Sequence, residues 1–349
     1  MDGSGSIKRS NFNKEKQFVV SLIKNLDLNE TRVSVMTFST FTTTLFYLNS
    51  FKNISNIENL VTNAEYDADG TNTGLALNLA DTEIMQEYRG MRNESLGIPR
   101  IIMVITDGES NDKTLTFNHS QIIKNRGINI ISVGIGNLNP KELNDIASSK
   151  SDVYKVEDFD KIVLILASLS RTVCLKPAKI STEQSISSLV SKNTYKYFKL
   201  SLMKNNMTYL NKFSIELNTL SGKTDLVYSF TEENPKFDSD YIQLTNKPSP
   251  SSGNFIEKPK SASISKQSSQ AVKDKATTGN NANYFQVTRP STGQNEILYI
   301  GIKGYSDVNR FQVYVHDKVV TPDTVISQSG RVCFSFINFL FSILVFIVI

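Results

Sequence analysis

Apolar positions follow two different rhythms along this chain, and the rhythm changes near residue 175. Upstream, apolar residues recur every three to four positions or sit in unbroken runs. The stretch "NKEKQFVVSLIKNL" carries Phe18, Val19, Leu22, Ile23 and Leu26 at helical spacing, with Asn11 or Asn13 placed to cap it. "RVSVMTFST" and "TTTLFYLN" are rich in β-branched residues and predict strands, and "TGLALNLADTEIMQEY" predicts a helix. "PRIIMVITDG" and "INIISVGIG" are continuous apolar runs ending in turn residues, the pattern of strands buried on both faces. Helices are predicted at "SQIIKNRG", "PKELNDIASS" and "DFDKIVLILASLSRTV", with a short strand at "DVYKV". Strands alternating with helices predict an α/β doubly wound, mostly parallel sheet over residues 1–175.

Downstream the helical period disappears. "TYKYFKLSLM", "NKFSIELNT", "TDLVYSFT", "DYIQLT", "NYFQVTRP", "EILYIGIKGYS" and "NRFQVYVHD" are β-type segments parted by turn residues, predicting an all-β sandwich over 180–325. Residues 246–283 interrupt it with a Ser/Lys/Pro/Asn-rich stretch holding six lysines against two acids. That stretch has too little apolar surface to order itself, so it reads as a flexible insertion, with a basic contact patch as the alternative. Residues 332–349, "VCFSFINFLFSILVFIVI", carry no charge. As a helix they would span roughly 27 Å, close to a bilayer core, which predicts a transmembrane helix or a removable glycolipid-anchor signal. Ser327, Ser329 and Gly330 are the small residues such a signal would need upstream.

Composition narrows the function. Net charge is +4, from 38 basic and 34 acidic residues, too even for a nucleic-acid partner. Two histidines, His119 and His316, cannot build a histidine-rich zinc site. Of the two cysteines, Cys333 lies in the apolar run, which leaves Cys174 an odd thiol. Sequons at Asn29, Asn53, Asn93, Asn118 and Asn206 suit an extracellular glycoprotein, although a chain rich in Asn, Ser and Thr forms some by chance. No apolar signal peptide is present in "MDGSGSIKRSNFNKEK".

Ligands of doubly wound sheets gather at the C-terminal ends of the strands. Three loops fall there: "DGSGS" before the first helix, "DGTNTG" before a later one, and "VITDGES" after a buried strand. Neither GxGxxG nor GxxxxGK[ST] occurs, and carboxylates repel phosphate. No nucleophile elbow or histidine partner marks a hydrolase, so no enzyme is expected. Hard oxygen donors without nitrogen or thiolate suit Mg²⁺ or another hard divalent ion such as Mn²⁺.

Residues Asp2 to about Val173 resemble a von Willebrand factor A domain, the integrin I-like fold with a metal-ion-dependent adhesion site. The family pattern, DxSxS, a later threonine and a TDG aspartate, falls on Asp2, Ser4 and Ser6 of "DGSGS", Thr71 of "GTNTG" and Asp107 of "ITDGES". The resemblance implies metal contacts from Ser4, Ser6 and Thr71, with Asp2 and Asp107 binding directly or through waters. It implies one coordination position left for an acidic side chain of a protein ligand, at a matrix or cell surface. Asp67 and Asp69 lie nearby and read as ordinary loop residues. The family has a central apolar strand just before DxSxS, where this sequence has only Met1. The expectation is therefore an N-terminally truncated chain, whose upstream residues supply that strand, an export signal and a cysteine for Cys174.

The second half resembles, through "KYFKLSL", "KTDLVYSF" and "EILYIGIKGYSDVNRFQVYV", a pre-peptidase C-terminal-type β-sandwich, an accessory binding module. The functional expectation is a cell-surface adhesion or recognition protein anchored by its C-terminus and using a Mg²⁺-dependent site. The alternative is a structural or regulatory A-domain ectodomain acting through metal-independent contacts.

Overall fold

The computed structural model describes residues 1–136, 140–204, 208–237, 277–279, 282–290, 296–320 and 345–348. The chain divides into two compact units, Met1–Lys179 with Phe339–Ile349, and Ile180–Asn338.

The first unit is a six-stranded sheet with helices on both faces. Its strands are β1 (Arg32–Phe38), β2 (Thr42–Phe46), β3 (Arg100–Thr106), β4 (Asn129–Ile135), β5 (Val153–Val156) and β17 (Val345–Val348). Their order across the sheet is β2-β1-β17-β3-β4-β5, all parallel except the edge strand β2. The helices are α1 (Lys8–Lys24), α2 (Ile54–Thr62), α3 (Thr73–Leu79), α4 (Lys113–Asn125), α5 (Pro140–Ile146) and α6 (Leu166–Leu175).

Period-two alternation in the strands feeds two separate cores. Ile101, Met103 and Ile105 of β3 pack with Phe18 and Leu22 of α1, Val61 of α2 and Leu169 of α6. Ile102 and Val104 point the other way, into a core with Ala76 and Leu77 of α3, Ile123 of α4 and Ile146 of α5. This is why the run "RIIMVIT" has no polar face: both sides of the strand are covered. Each such isoleucine, fully buried, stabilises the fold by about 1.5–3 kcal/mol.

Three elements depart from the sequence expectation. The helix expected over 73–88 ends at Leu79 and passes into a π-helical turn, Ala80–Ile84, then a 3₁₀ turn, Glu87–Arg89. Asp81 in that turn forms an ion pair with Arg126, and its carbonyl accepts from the Gln86 amide at 2.7 Å, so side chains take over from the α ladder. Helix α4 begins at Lys113, well before the "SQIIKNRG" stretch, because Asp112 caps it by accepting from Leu115 N at 2.8 Å. Its first apolar residues, Leu115 and Phe117, are exposed and so give no helical period. Helix α2, whose Asn53 cap accepts from Ser55 N at 2.9 Å, was not expected from the pattern.

The C-terminal apolar stretch needs the largest correction. Residues 332–344 and 349 lie outside the described residues, but Val345–Val348 form a strand instead of a helix. Among the described residues no helix is long and apolar enough to cross a membrane.

The remaining strands are β6 (Ala178–Ile180), β7 (Ser185–Ser191), β8 (Tyr195–Ser201), β9 (Met203–Lys204), β10 (Thr208–Tyr209), β11 (Lys212–Ser221), β12 (Thr224–Ser229), β13 (Thr277–Gly279), β14 (Ala282–Thr288), β15 (Ile297–Gly304) and β16 (Val308–His316). They are ordered β13-β14-β11-β16-β7 in one sheet, β12-β15-β8-β6 in another, and β10-β9 in a small ribbon. In the second unit β7 to β16 pair antiparallel. Phe198 of one large sheet meets Phe311 of the other edge to face, ring centroids 6.2 Å apart. The expected strand at 240–245 and most of the 246–283 insertion lie outside the described residues. At the insertion's far end Thr277–Gly279 pairs with β14.

Candidate metal centre

The opening loop is fixed from both sides before any side chain acts. Phe38 N donates to Met1 O at 3.0 Å and Gly3 N to Phe38 O at 2.7 Å, which ties the loop to the C-terminal end of β1. Gly5 N donates to Asp69 O at 2.8 Å and Ala68 N to Gly3 O at 3.0 Å, tying it to the loop that carries Thr71. Asp2 and Ser4 are buried and Ser6 is exposed, so the loop rises from core to surface over five residues.

On this backbone the side chains form a chain of oxygens. Asp2 Oδ1 accepts from Ser4 N at 2.9 Å. Ser4 Oγ lies 2.9 Å from Ser6 Oγ, and Ser6 Oγ donates to Asp107 Oδ1 at 2.8 Å. The other Asp2 oxygen accepts from Thr106 Oγ1 at 2.5 Å, so Asp2 and the Asp107 turn are joined at the end of β3. Thr71 arrives through the turn glycine: a methyl placed on Gly108 would come within 3.4 Å of Ser6 Oγ and 3.6 Å of Thr71 Oγ1. Thr71 is buried, and its carbonyl accepts from Asn111 N at 2.9 Å. All five residues expected from the sequence, Asp2, Ser4, Ser6, Thr71 and Asp107, are therefore brought together from three loops.

Charge in this cluster is unbalanced. Among the described residues no lysine or arginine ion-pairs with Asp2 or Asp107. Burial pushes the Asp107 carboxyl up to about 6, and the nearby Asp2 charge adds to this while the Ser6 hydrogen bond opposes it. The described residues hold no group of three or more histidine, cysteine or acidic side chains arranged so that they could hold a metal ion. The donor set is two carboxylates and three hydroxyls, all oxygen, which fits a hard divalent ion better than zinc or copper.

Two supporting residues were not singled out from the sequence. Thr106 orients Asp2 as described, and sits within the same "ITDG" turn that marks Asp107. Glu15 is fully buried on α1 and accepts from Asp2 N at 3.0 Å; burial holds its carboxyl well above the ordinary range. Its signal was an acid on the apolar stripe of a helix, three residues after Phe12 and three before Phe18. Asp67 accepts from Ser39 Oγ at 3.2 Å, and Asp69 serves mainly through its backbone, consistent with loop roles.

Residues 1–168 match the family model of the von Willebrand factor type A domain. The human collagen alpha-6(VI) chain is 31% identical over 176 residues, covering 50% of this chain and 8% of its own length. Mouse matrilin-4 is 33% identical over 178 residues, covering 50% of this chain and 28% of its own. The chain thus spans less than a third of either relative's length. Among solved structures, proximal thread matrix protein 1 from the mussel byssus overlaps 56% of this chain and 48% of its own at 23% identity and a TM-score of 0.47. Over residues 1–168 the chain thus matches the von Willebrand factor type A domain model, and in the same region it is similar to a collagen chain and a matrilin.

Proposed function

We propose that the A domain binds a divalent cation, Mg²⁺ or Mn²⁺, through Ser4, Ser6 and Thr71, with Asp2 and Asp107 acting directly or through waters. The bound ion then presents an open position to an acidic side chain of a protein ligand, so the domain works as an adhesion or recognition module. The observation that carries this reading is the three-loop cluster of five oxygen-bearing side chains with two carboxylates that, among the described residues, ion-pair with no lysine or arginine. A cation supplies the missing positive charge, and a ligand carboxylate then completes it in a partly desolvated cleft. Asp2, buried and held by Ser4 N, Thr106 and the loop itself, fixes where the charge sits; Ser6 and Asp107, nearer the surface, face the incoming group.

Setting this activity outside the cell rests on likeness to a collagen chain and to matrilins. The role is binding, not turnover: the site has carboxylates and hydroxyls but no histidine or thiol to shuttle protons or attack. The second unit, by its resemblance to a pre-peptidase C-terminal-type module, would be an accessory binding domain. Calorimetric titration of the full chain with Mg²⁺ tests the site. One bound ion is expected, with binding abolished in Asp107→Ala; uptake equal in the two proteins would rule the assignment out.

A further inference from the structure

Strand β3 ends at Thr106, so Asp107 is the first residue beyond it, and the turn that follows decides where its carboxylate stands. The near end of that turn is closed on itself, with Gly108 N donating to Thr106 Oγ1 at 3.2 Å. The far end is tied to other elements. Asn111 N donates to Thr71 O at 2.9 Å, and Thr116 Oγ1 of α4 donates to Ser110 Oγ at 2.8 Å. Ser110 N donates to Glu142 Oε1 at 2.9 Å, which brings in α5, a helix that supplies none of the five site oxygens.

Glu142 lies in the first turn of α5, where the helix dipole alone favours an acid. A carboxylate placed there only for the dipole could keep both oxygens in water. Here one oxygen is spent on Ser110 N, and the other is buried without a hydrogen-bond partner. Burying an unpartnered carboxylate oxygen is unfavourable, so the grip on the loop offsets a real cost. Ser110 is itself buried, which leaves its N–H little access to water as a substitute. Asp107 meanwhile stands against the like charge of Asp2, with Ser6 Oγ donating to it at 2.8 Å, a geometry that a slack turn would lose.

We infer that Glu142 is a positioning residue of the metal centre: by accepting from Ser110 N it fixes the far end of the Asp107 turn and holds that carboxylate against Ser6. The inference rests on the metal-binding reading above. Glu142 acts through three residues of backbone, from Ser110 back to Asp107. What counts is its acceptor oxygen and not its charge, so glutamine, whose carbonyl also accepts, can stand in for it.

Calorimetric titration of the full chain with Mg²⁺, beside Glu142→Ala and Glu142→Gln, is the test. Affinity should fall about tenfold or more in the alanine variant and stay within about threefold in the glutamine variant, as expected for losing or keeping one hydrogen bond. In chelator, the Ser110 amide should exchange faster in Glu142→Ala and stay protected in the other two proteins. A merely structural role would lower the melting temperature and leave the affinity of the folded chain unchanged. Should Glu142→Ala not fold, Glu142→Asp, which keeps the charge but shortens the reach, should show the same loss. Equal affinity in all the proteins overturns the inference, as does a loss in Glu142→Gln as large as in Glu142→Ala, and either result leaves the metal-binding reading standing. No Mg²⁺ uptake by the unaltered chain overturns that reading and the inference with it.

Discussion

Thr106 and Asp107 are neighbours with opposite duties at the candidate site. Thr106 is buried and spends its hydroxyl on Asp2, whereas Asp107 stands partly exposed and carries the charge whose ionisation burial opposes. Replacing Thr106 with valine keeps the shape and strands an Asp2 oxygen, so unfolding free energy should fall by about 1–3 kcal/mol, while Thr106→Ser should recover most of it in denaturant titration. For Asp107 the sign runs the other way. Its folded value, about 6, lies above the ordinary 3.8, so the ion-free protein loses stability as pH rises from about 4 through 6. Asp107→Asn should therefore stabilise the ion-free protein at pH 7.5 by about 1 kcal/mol, less than the full shift implies because the group is partly in solvent, and should leave stability near pH 4 unchanged. Thermal melts across that range in chelator check it. The five candidate residues could be picked out because "DGSGS", "GTNTG" and the "TDG" turn are local features. Glu15 and Thr106 were not, because what matters about them is whom they meet across 13 and 104 positions of chain.

At the level of elements, the sequence spoke clearly wherever burial was two-sided. "RIIMVIT" and "NIISVGI" became β3 and β4 almost to the residue, since runs of seven residues bounded by turn signals are short for a helix and suit a strand covered on both faces. Helix α4 started earlier than its pattern because Leu115 and Phe117 face solvent, and a cap rather than a periodic stripe sets its beginning. Helix α3 ended sooner than its pattern because the Asp81–Arg126 ion pair opens the next turn. In each case the deciding contact is tertiary and invisible to a local window. Close packing of α3 on α4 gives a prediction at this scale: a methyl on Gly74 would come within 2.9 Å of the Thr116 backbone nitrogen and 3.0 Å of Leu115 Cγ. Alanine's better helix propensity is worth about 1 kcal/mol at most, so overpacking wins and Gly74→Ala should destabilise by about 1–3 kcal/mol, read by chemical denaturation.

For the molecule as a whole, the site is a consequence of the winding of one sheet. Parallel strands covered on both faces deliver their C-terminal ends to one edge, and the loops leaving β3, the Met1–Asp2 segment and the turn before α3 meet there. The α/β character of the first half followed from alternation alone. The strand at residues 345–348 did not, because a short apolar segment can be helix, membrane span or strand with the same composition. The central claim is that oxygens from three loops hold one cation. Crystals of the full chain grown with Mn²⁺ and measured near the manganese absorption edge test it most directly. The account predicts one strong anomalous peak within bonding distance, about 2.2 Å, of the Ser4 and Ser6 hydroxyl oxygens. A peak bound elsewhere, or none at this cluster while the loops keep their arrangement, would contradict it.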